Sequence, residues 1–146
     1  MRQFKSCGFI VMRTVPQLSF LLMQHPHRYD LPKGHMETGE DEWDCALREL
    51  HEETGIPASA LKLDRTFRFT NTYKTRYKRY GKEKIEKTVV IFLGWLEQKV
   101  TVQLTEHSSY QWVEWNPPHL IQKKTIDPLL GKLERYLLEN TAKRLN

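Results

Sequence analysis

Glu49, Glu52 and Glu53 stand at positions i, i+3 and i+4 of a segment whose apolar residues recur at helical spacing. At about 100° per residue this puts three carboxylates on one helical face within a turn. Like charges this close repel and weaken a helix unless something cationic sits among them. Mg2+ or Mn2+ would serve, because both take carboxylate oxygens while keeping waters and phosphates in their shell. The plain alternative is a solvated acidic face. Three neighbours count against it. Arg48 lies inside the cluster, where it can pin a carboxylate by a charge-assisted bond. Gly34 and Gly39 bracket a tight loop just before the helix, and Pro32-Lys33-Gly34-His35 sets a lysine at the loop's mouth, where phosphate oxygens would arrive.

The elements that must position these groups are legible in outline. Trp43, Ala46, Leu47, Leu50 and Thr54 form one apolar stripe, which predicts a helix over Glu40 to Thr54, stopped by Gly55 and Pro57. Phe4 to Arg13 and Leu18 to Gln24 read as neighbouring strands joined by a turn, and His25 to Gly39 as a loop. Further strands are expected at Leu61 to Asn71, Thr88 to Leu96, Val100 to Leu104 and Tyr110 to Trp115. A long exposed connection is expected around Gly81, a short helical turn from Asn116-Pro117-Pro118, and an amphipathic helix from about Asp127 to Ala142. Helices and strands mix without a strict repeat, so the fold class is α/β or α+β, in layers.

With 146 residues, 39% hydrophobic and 28% charged, the chain has the size and composition of one ordinary globular domain. No apolar run approaches the roughly 20 residues that span a bilayer, and Gly8 to Met12 is shorter than a signal core of about 7–15. A cytoplasmic protein without a membrane partner is expected. Cys7 and Cys45 show no metal-ligand spacing and read as reduced and structural. The net charge of +5 is localised: Lys74, Arg76, Lys78, Arg79, Lys82, Lys84 and Lys87, set against Glu83 and Glu86, account for all of it. A basic patch of this kind suggests an anionic partner.

Gly34, then five residues, Glu40, then seven residues, and Arg48-Glu49-Leu50-His51-Glu52-Glu53-Thr54-Gly55-Ile56 resemble the Nudix box at every defined position. The resemblance to the Nudix hydrolases implies an α/β/α sandwich with a mixed central sheet, residues 34–56 forming its loop-helix-loop. It implies metal-dependent hydrolysis of a phosphoanhydride bond in a nucleoside polyphosphate. Glu49, Glu52 and Glu53 are the implied metal ligands, with the Gly34 carbonyl as an addition, and Arg48 orients the glutamates. Glu53 is the first choice of base for the attacking water. Glu106 is the runner-up or a further ligand, because the family often adds a carboxylate from a later loop; its bland alternative is an exposed loop acid.

Tyr73, seventeen residues beyond Ile56, resembles the marker of the diadenosine polyphosphate hydrolases, the asymmetric bis(5'-nucleosyl)-tetraphosphatase subfamily, where a tyrosine stacks on adenine. Pro32-Lys33-Gly34-His35, Lys87-Thr88-Val89-Val90 and the stretch from Glu106 to Trp112 are similar to that subfamily too. Asn71 stands where ADP-ribose enzymes carry proline. The implied reaction takes diadenosine tetraphosphate to ATP and AMP. Tyr73, with Tyr77 or Tyr80, can stack a base for roughly 1–3 kcal/mol each. Lys33 and Lys87 can neutralise phosphates, with Lys78 or Arg79 as helpers. His35 and His51 read as solvated or capping residues and not as ligands, because the metal prefers oxygen, and His35 is counted among the substrate-binding candidates. Two departures from the subfamily touch the nucleotide pocket: Tyr29 replaces a usual tryptophan, and the basic connection is long. Rival readings are a 5'-end RNA pyrophosphohydrolase using the basic segment as a track (RNA is not the favoured partner), a diphosphoinositol polyphosphate phosphohydrolase, and a Nudix-fold binding module without turnover. A monomer or weak dimer is expected.

Overall fold

A computed structural model describes residues 1–105 and 109–145, with side chains to Thr141. In chain order the strands are β1 (Arg2–Arg13), β2 (Ser19–Gln24), β3 (Tyr29–Asp30), β4 (Lys33–His35), β5 (Leu61–Thr75), β6 (Ile85–Leu96) and β7 (Ser109–Glu114). The helices are α1 (Glu42–Thr54), between β4 and β5, and α2 (Asp127–Leu145), after β7.

The unbroken apolar run Cys7 to Met12 has the pattern of a strand buried on both faces, and β1 takes that central place. One edge of β1 runs parallel to β6, from Arg2 opposite Ile85 to Met12 opposite Trp95. Its other edge pairs antiparallel with β4 through Ser6–His35, Cys7–Gly34 and Gly8–Lys33, and farther along with β2. β5 lies antiparallel outside β6, while β3 and β7 both pair with β2. Alternate side chains of β1 and β6 then feed two cores. Cys7, Phe9, Val11, Val90 and Phe92 face α1, with Trp43 stacked on Phe92 at 3.9 Å. Ile10, Met12, Ile91 and Leu93 share the opposite core with Leu129, Leu130 and Leu133 of α2. The result is the α/β/α sandwich with a mixed sheet.

Helix α1 begins at Glu42, two residues after the predicted start, because Asp41 caps it. The Asp41 carboxylate accepts from Asp44 N–H at 2.7 Å, and Asp44 returns the contact. Glu40 is thereby left outside the helix. Gly55, at φ +77°, closes the far end by donating its N–H to the His51 carbonyl. Glu42 ties the first turn to two strands, accepting from Nε and Nη2 of Arg68 and from the ammonium of Lys5.

Four expectations are corrected. Val100 to Leu104 forms no strand; Val102 buries its side chain under α1, but Gln103 donates its N–H to the Thr54 carbonyl at 2.8 Å. The alternating pattern is real, yet its backbone satisfies a helix end instead of a sheet edge. The basic segment is not one long connection. Tyr73–Lys87, Lys74–Glu86 and Thr75–Ile85 are paired, and fully buried Ile85 anchors the return strand, leaving residues 76–84 as a short tip. The predicted loop from His25 to Gly39 contains the short strands β3 and β4. Asn116-Pro117-Pro118 is a bend and not a helical turn. Both cysteines are free and buried, and no helix among the described residues is long and apolar enough to cross a membrane.

A Cβ at Gly8 would overlap the Pro32 carbonyl and the Lys33 side chain. Gly8→Ala is therefore expected to cost about 1–3 kcal/mol and to push β4 off β1. Urea unfolding checks the loss; an unchanged midpoint would show that β4 does not need this close approach.

Candidate active site

One guanidinium organises the acidic flank of α1. Arg48 donates to both oxygens of Glu40 (Nε to Oε2 2.6 Å, Nη2 to Oε1 2.9 Å), to Glu49 at 2.9 Å and to Glu52 at 3.2 Å. Its Nη2 also reaches the His35 carbonyl at 3.0 Å, joining the helix to β4. Two-point pairing with Glu40 fixes the plane of the guanidinium and so aims the remaining N–H groups. Glu40 in turn accepts from the Glu37 N–H, and the hydrogen bonds from Arg48 hold its carboxyl down at about 2.

Glu53 is the buried member of the trio, 7% exposed, and its Oε2 accepts the backbone N–H of Lys33 at 3.0 Å. Glu52 is its opposite, 56% exposed at the side chain. Glu49 packs so close to β4 that a Cβ at Gly34 would overlap its carboxylate. Glycine at that place supplies room. Its carbonyl accepts from the Cys45 thiol at 3.3 Å and so already has one donor inside the fold. Among the described residues, no three His, Cys, Asp or Glu side chains converge as metal ligands. The donors nonetheless fit a hard divalent cation. They are all oxygens, and Glu40, Glu49 and Glu52 share the single guanidinium of Arg48, with Glu37 3.6 Å from it and Glu53 beside them on the helix.

Across β4 from this flank the charge reverses. Lys33 Nζ lies 2.7 Å from Asp30 Oδ1, and Lys87 sits opposite Tyr73 on the β5–β6 pair. Burial, and then the charge of Lys33, lower the Lys87 ammonium to about 8. Burial and the nearby cations Lys87, Arg79 and Lys33 likewise lower His35 and keep its ring neutral. His35 stacks on Phe4 at 5.2 Å, and its Nε2 is 3.1 Å from the Tyr77 hydroxyl. Tyr80 leans on the same Phe4 at 5.8 Å. His35, Tyr77, Lys78 and Arg79 line a cavity of about 300 Å³. An acidic flank thus adjoins a basic, aromatic one, with Lys33-Gly34-His35 running between them.

The NUDIX domain model matches residues 6–136. The chain belongs to the Nudix family. It is 36% identical over 151 aligned residues to the asymmetrical bis(5'-nucleosyl)-tetraphosphatase of Mus musculus, covering 94% of this chain and 98% of that protein. The enzyme of the same name from Caenorhabditis elegans is 34% identical over 115 residues, covering 75% and 78%. The crystal structure of a C. elegans Ap4A hydrolase binary complex superposes with a TM-score of 0.79 at 32% identity, over 93% of this chain and 98% of that one.

Glu49, Glu52, Glu53 and Arg48 lie on one flank of α1, with Gly34 of β4 packed against the Glu49 carboxylate. Lys33, His35, Lys87, Tyr73 and Tyr80 lie on the adjoining basic side. Glu106 lies outside the described residues. Two carboxylates were not singled out for a role in the sequence. Glu40 is the anchor of Arg48, and its place in the box was the available signal. Asp30 holds Lys33, and nothing in the local pattern marks it. Tyr77, one of the two further tyrosines expected to stack a base, is the one whose hydroxyl touches His35.

Two outcomes are expected. Lys87 is cationic below about pH 8 and loses its charge above it, so KM for a polyphosphate should rise through that range. Lys87→Arg should flatten the rise, because its guanidinium stays charged; a pH series of KM from 6 to 10 reads this. The lowered Glu40 carboxyl contributes stability that is complete above about 4.5 and disappears as pH falls towards about 2. The stability gap between wild type and Glu40→Gln should therefore close in acid, which thermal unfolding at pH 2 and pH 7 measures.

Proposed function

We propose that the protein hydrolyses a dinucleoside tetraphosphate asymmetrically, water adding across one phosphoanhydride bond of diadenosine tetraphosphate to release ATP and AMP. The observation that carries the reading is the adjacency of the two flanks. Glu49 and Glu52, braced by Arg48, and Glu53, held by the Lys33 N–H, lie on one side of Lys33-Gly34-His35, with Lys87, Tyr73, Tyr77 and Tyr80 on the other. Support comes also from relatives over 30% identical that carry this activity in their names.

Glu49, Glu52 and Glu53 would hold Mg2+ or Mn2+, with the Gly34 carbonyl as the adjoining backbone oxygen. When bound, such a cation supplies the positive charge that the phosphates and the attacking water require. The chain's own residues do the rest. Lys33 and Lys87 neutralise phosphate oxygens, and neutral His35 can donate or accept one hydrogen bond without adding charge. Tyr73 offers a flat face to a base, and burial keeps its hydroxyl protonated. Glu53 takes the proton from water: it is the least exposed of the three, and the hydrogen bond it accepts from the Lys33 N–H fixes its orientation. Arg48 keeps Glu49 and Glu52 from swinging apart under their mutual repulsion. Glu106 remains a proposed alternative base or additional ligand.

Purified protein given diadenosine tetraphosphate and MgCl2 or MnCl2 should release ATP and AMP in equal amounts. Chelation should stop it, and Glu53→Gln should lower kcat by about 10²–10⁴-fold, the usual weight of a general base. Two ADP per substrate, or no turnover with either metal, would rule the assignment out.

A further inference from the structure

Asp30 is a carboxylate among the cations that meet the phosphate chain, where by charge alone it opposes an anionic substrate. Its contacts are specific. Oδ1 accepts from the Lys33 ammonium at 2.7 Å and from the Leu31 N–H at 2.8 Å, and Oδ2 accepts from Arg28 at 3.1 Å. The side chains of Asp30 and Lys33 are 14% and 17% exposed. The carboxylate cannot drift. The Leu31 contact sets its rotamer, and β3 is held from two sides. Asp30 and Tyr29 pair with Met23 and Gln24 of β2, and the Gln122 amide bonds both the N–H and the carbonyl of Tyr29, at 2.9 and 3.0 Å. An ammonium has three donors, so engaging one with Asp30 leaves two.

We propose that Asp30 is a positioning residue, which fixes the Lys33 ammonium beside Lys87 so that its other two N–H groups face the phosphate chain. This rests on the polyphosphate reading above. A lysine released from Asp30 would sweep through many rotamers, and each phosphate contact would first have to order it. Asp30 takes no part in bond making; it acts chiefly through Lys33.

The test is a double-mutant cycle on diadenosine tetraphosphate with MgCl2, combined with 15N spectra of the lysine ammonium groups in the substrate-free protein. Asp30→Asn is expected to lower kcat/KM by about tenfold, and Lys33→Met by at least as much. Once Lys33→Met is present, adding Asp30→Asn should cost far less than it does alone, since only the weaker effect of the Asp30 charge on Lys87 and Arg28 remains. The Lys33 ammonium signal, slowed in proton exchange by Asp30, should vanish in Asp30→Asn. Asp30→Ser, which can still accept from Leu31 N–H, repeats the measurements if the asparagine variant folds poorly. Losses that multiply in the double mutant, or a Lys33 signal indifferent to Asp30, overturn the proposal while leaving the substrate reading intact. A wild type inert on the tetraphosphate overturns the substrate reading, and the phosphate-facing role of Lys33 with it. The ammonium spectra then still report separately whether Asp30 holds the lysine.

Discussion

Everything at the site depends on keeping several negative charges close together on one helix. Glu49, Glu52 and Glu53 repel one another and would rather point into solvent in different directions. Arg48 answers this by reaching Glu49 and Glu52 from within the same helix while its other face is gripped by Glu40. The grip matters as much as the reach. A guanidinium on a flexible stem would follow the carboxylates; one clamped at two points by a residue outside the helix makes them follow it. The His35 carbonyl completes the frame and ties the helix to β4.

The fold serves that frame through close approaches of backbone. Gly8 lets β4 press against β1, and Gly34 lets the Glu49 carboxylate lie directly on β4. Because β4 is pinned to the central strand, Lys33 N–H can meet Glu53 and the Lys33 side chain can turn to the opposite flank. A three-residue strand therefore separates the acidic flank from the basic, aromatic one. Its rigidity comes from β1, which is buried on both faces from Ser6 to Met12 and paired with β6 from Arg2 to Met12.

Sequence and structure agree where the signal is local. The stripe Trp43, Ala46, Leu47, Leu50 and Thr54 buries as the helical period requires, and β1 is as apolar as its central place demands. They part where a pattern has more than one physical meaning. Val100, Val102 and Leu104 alternate as a strand does, yet the segment is a strap whose backbone caps the end of α1. Tyr73 to Thr75 and Ile85 to Lys87 look too charged for a sheet, yet they pair, because only one face of that hairpin is covered. Asp30 gave no hint of its role, since the lysine it holds lies beyond a leucine and a proline that break any regular period.

By itself the sequence determined the chemistry. Helical periodicity is a property of adjacent residues, so the placing of three carboxylates and an arginine on one flank follows from spacing alone. What only the tertiary structure decided is which partners those groups find. Glu40 for Arg48, Lys33 N–H for Glu53, Asp30 for the Lys33 ammonium and Phe4 for His35 are set by how β1, β3, β4 and α1 meet. Such contacts depend on strand register and on the few glycines that let backbones touch, and no local pattern in the chain encodes the distance between elements that fold onto one another.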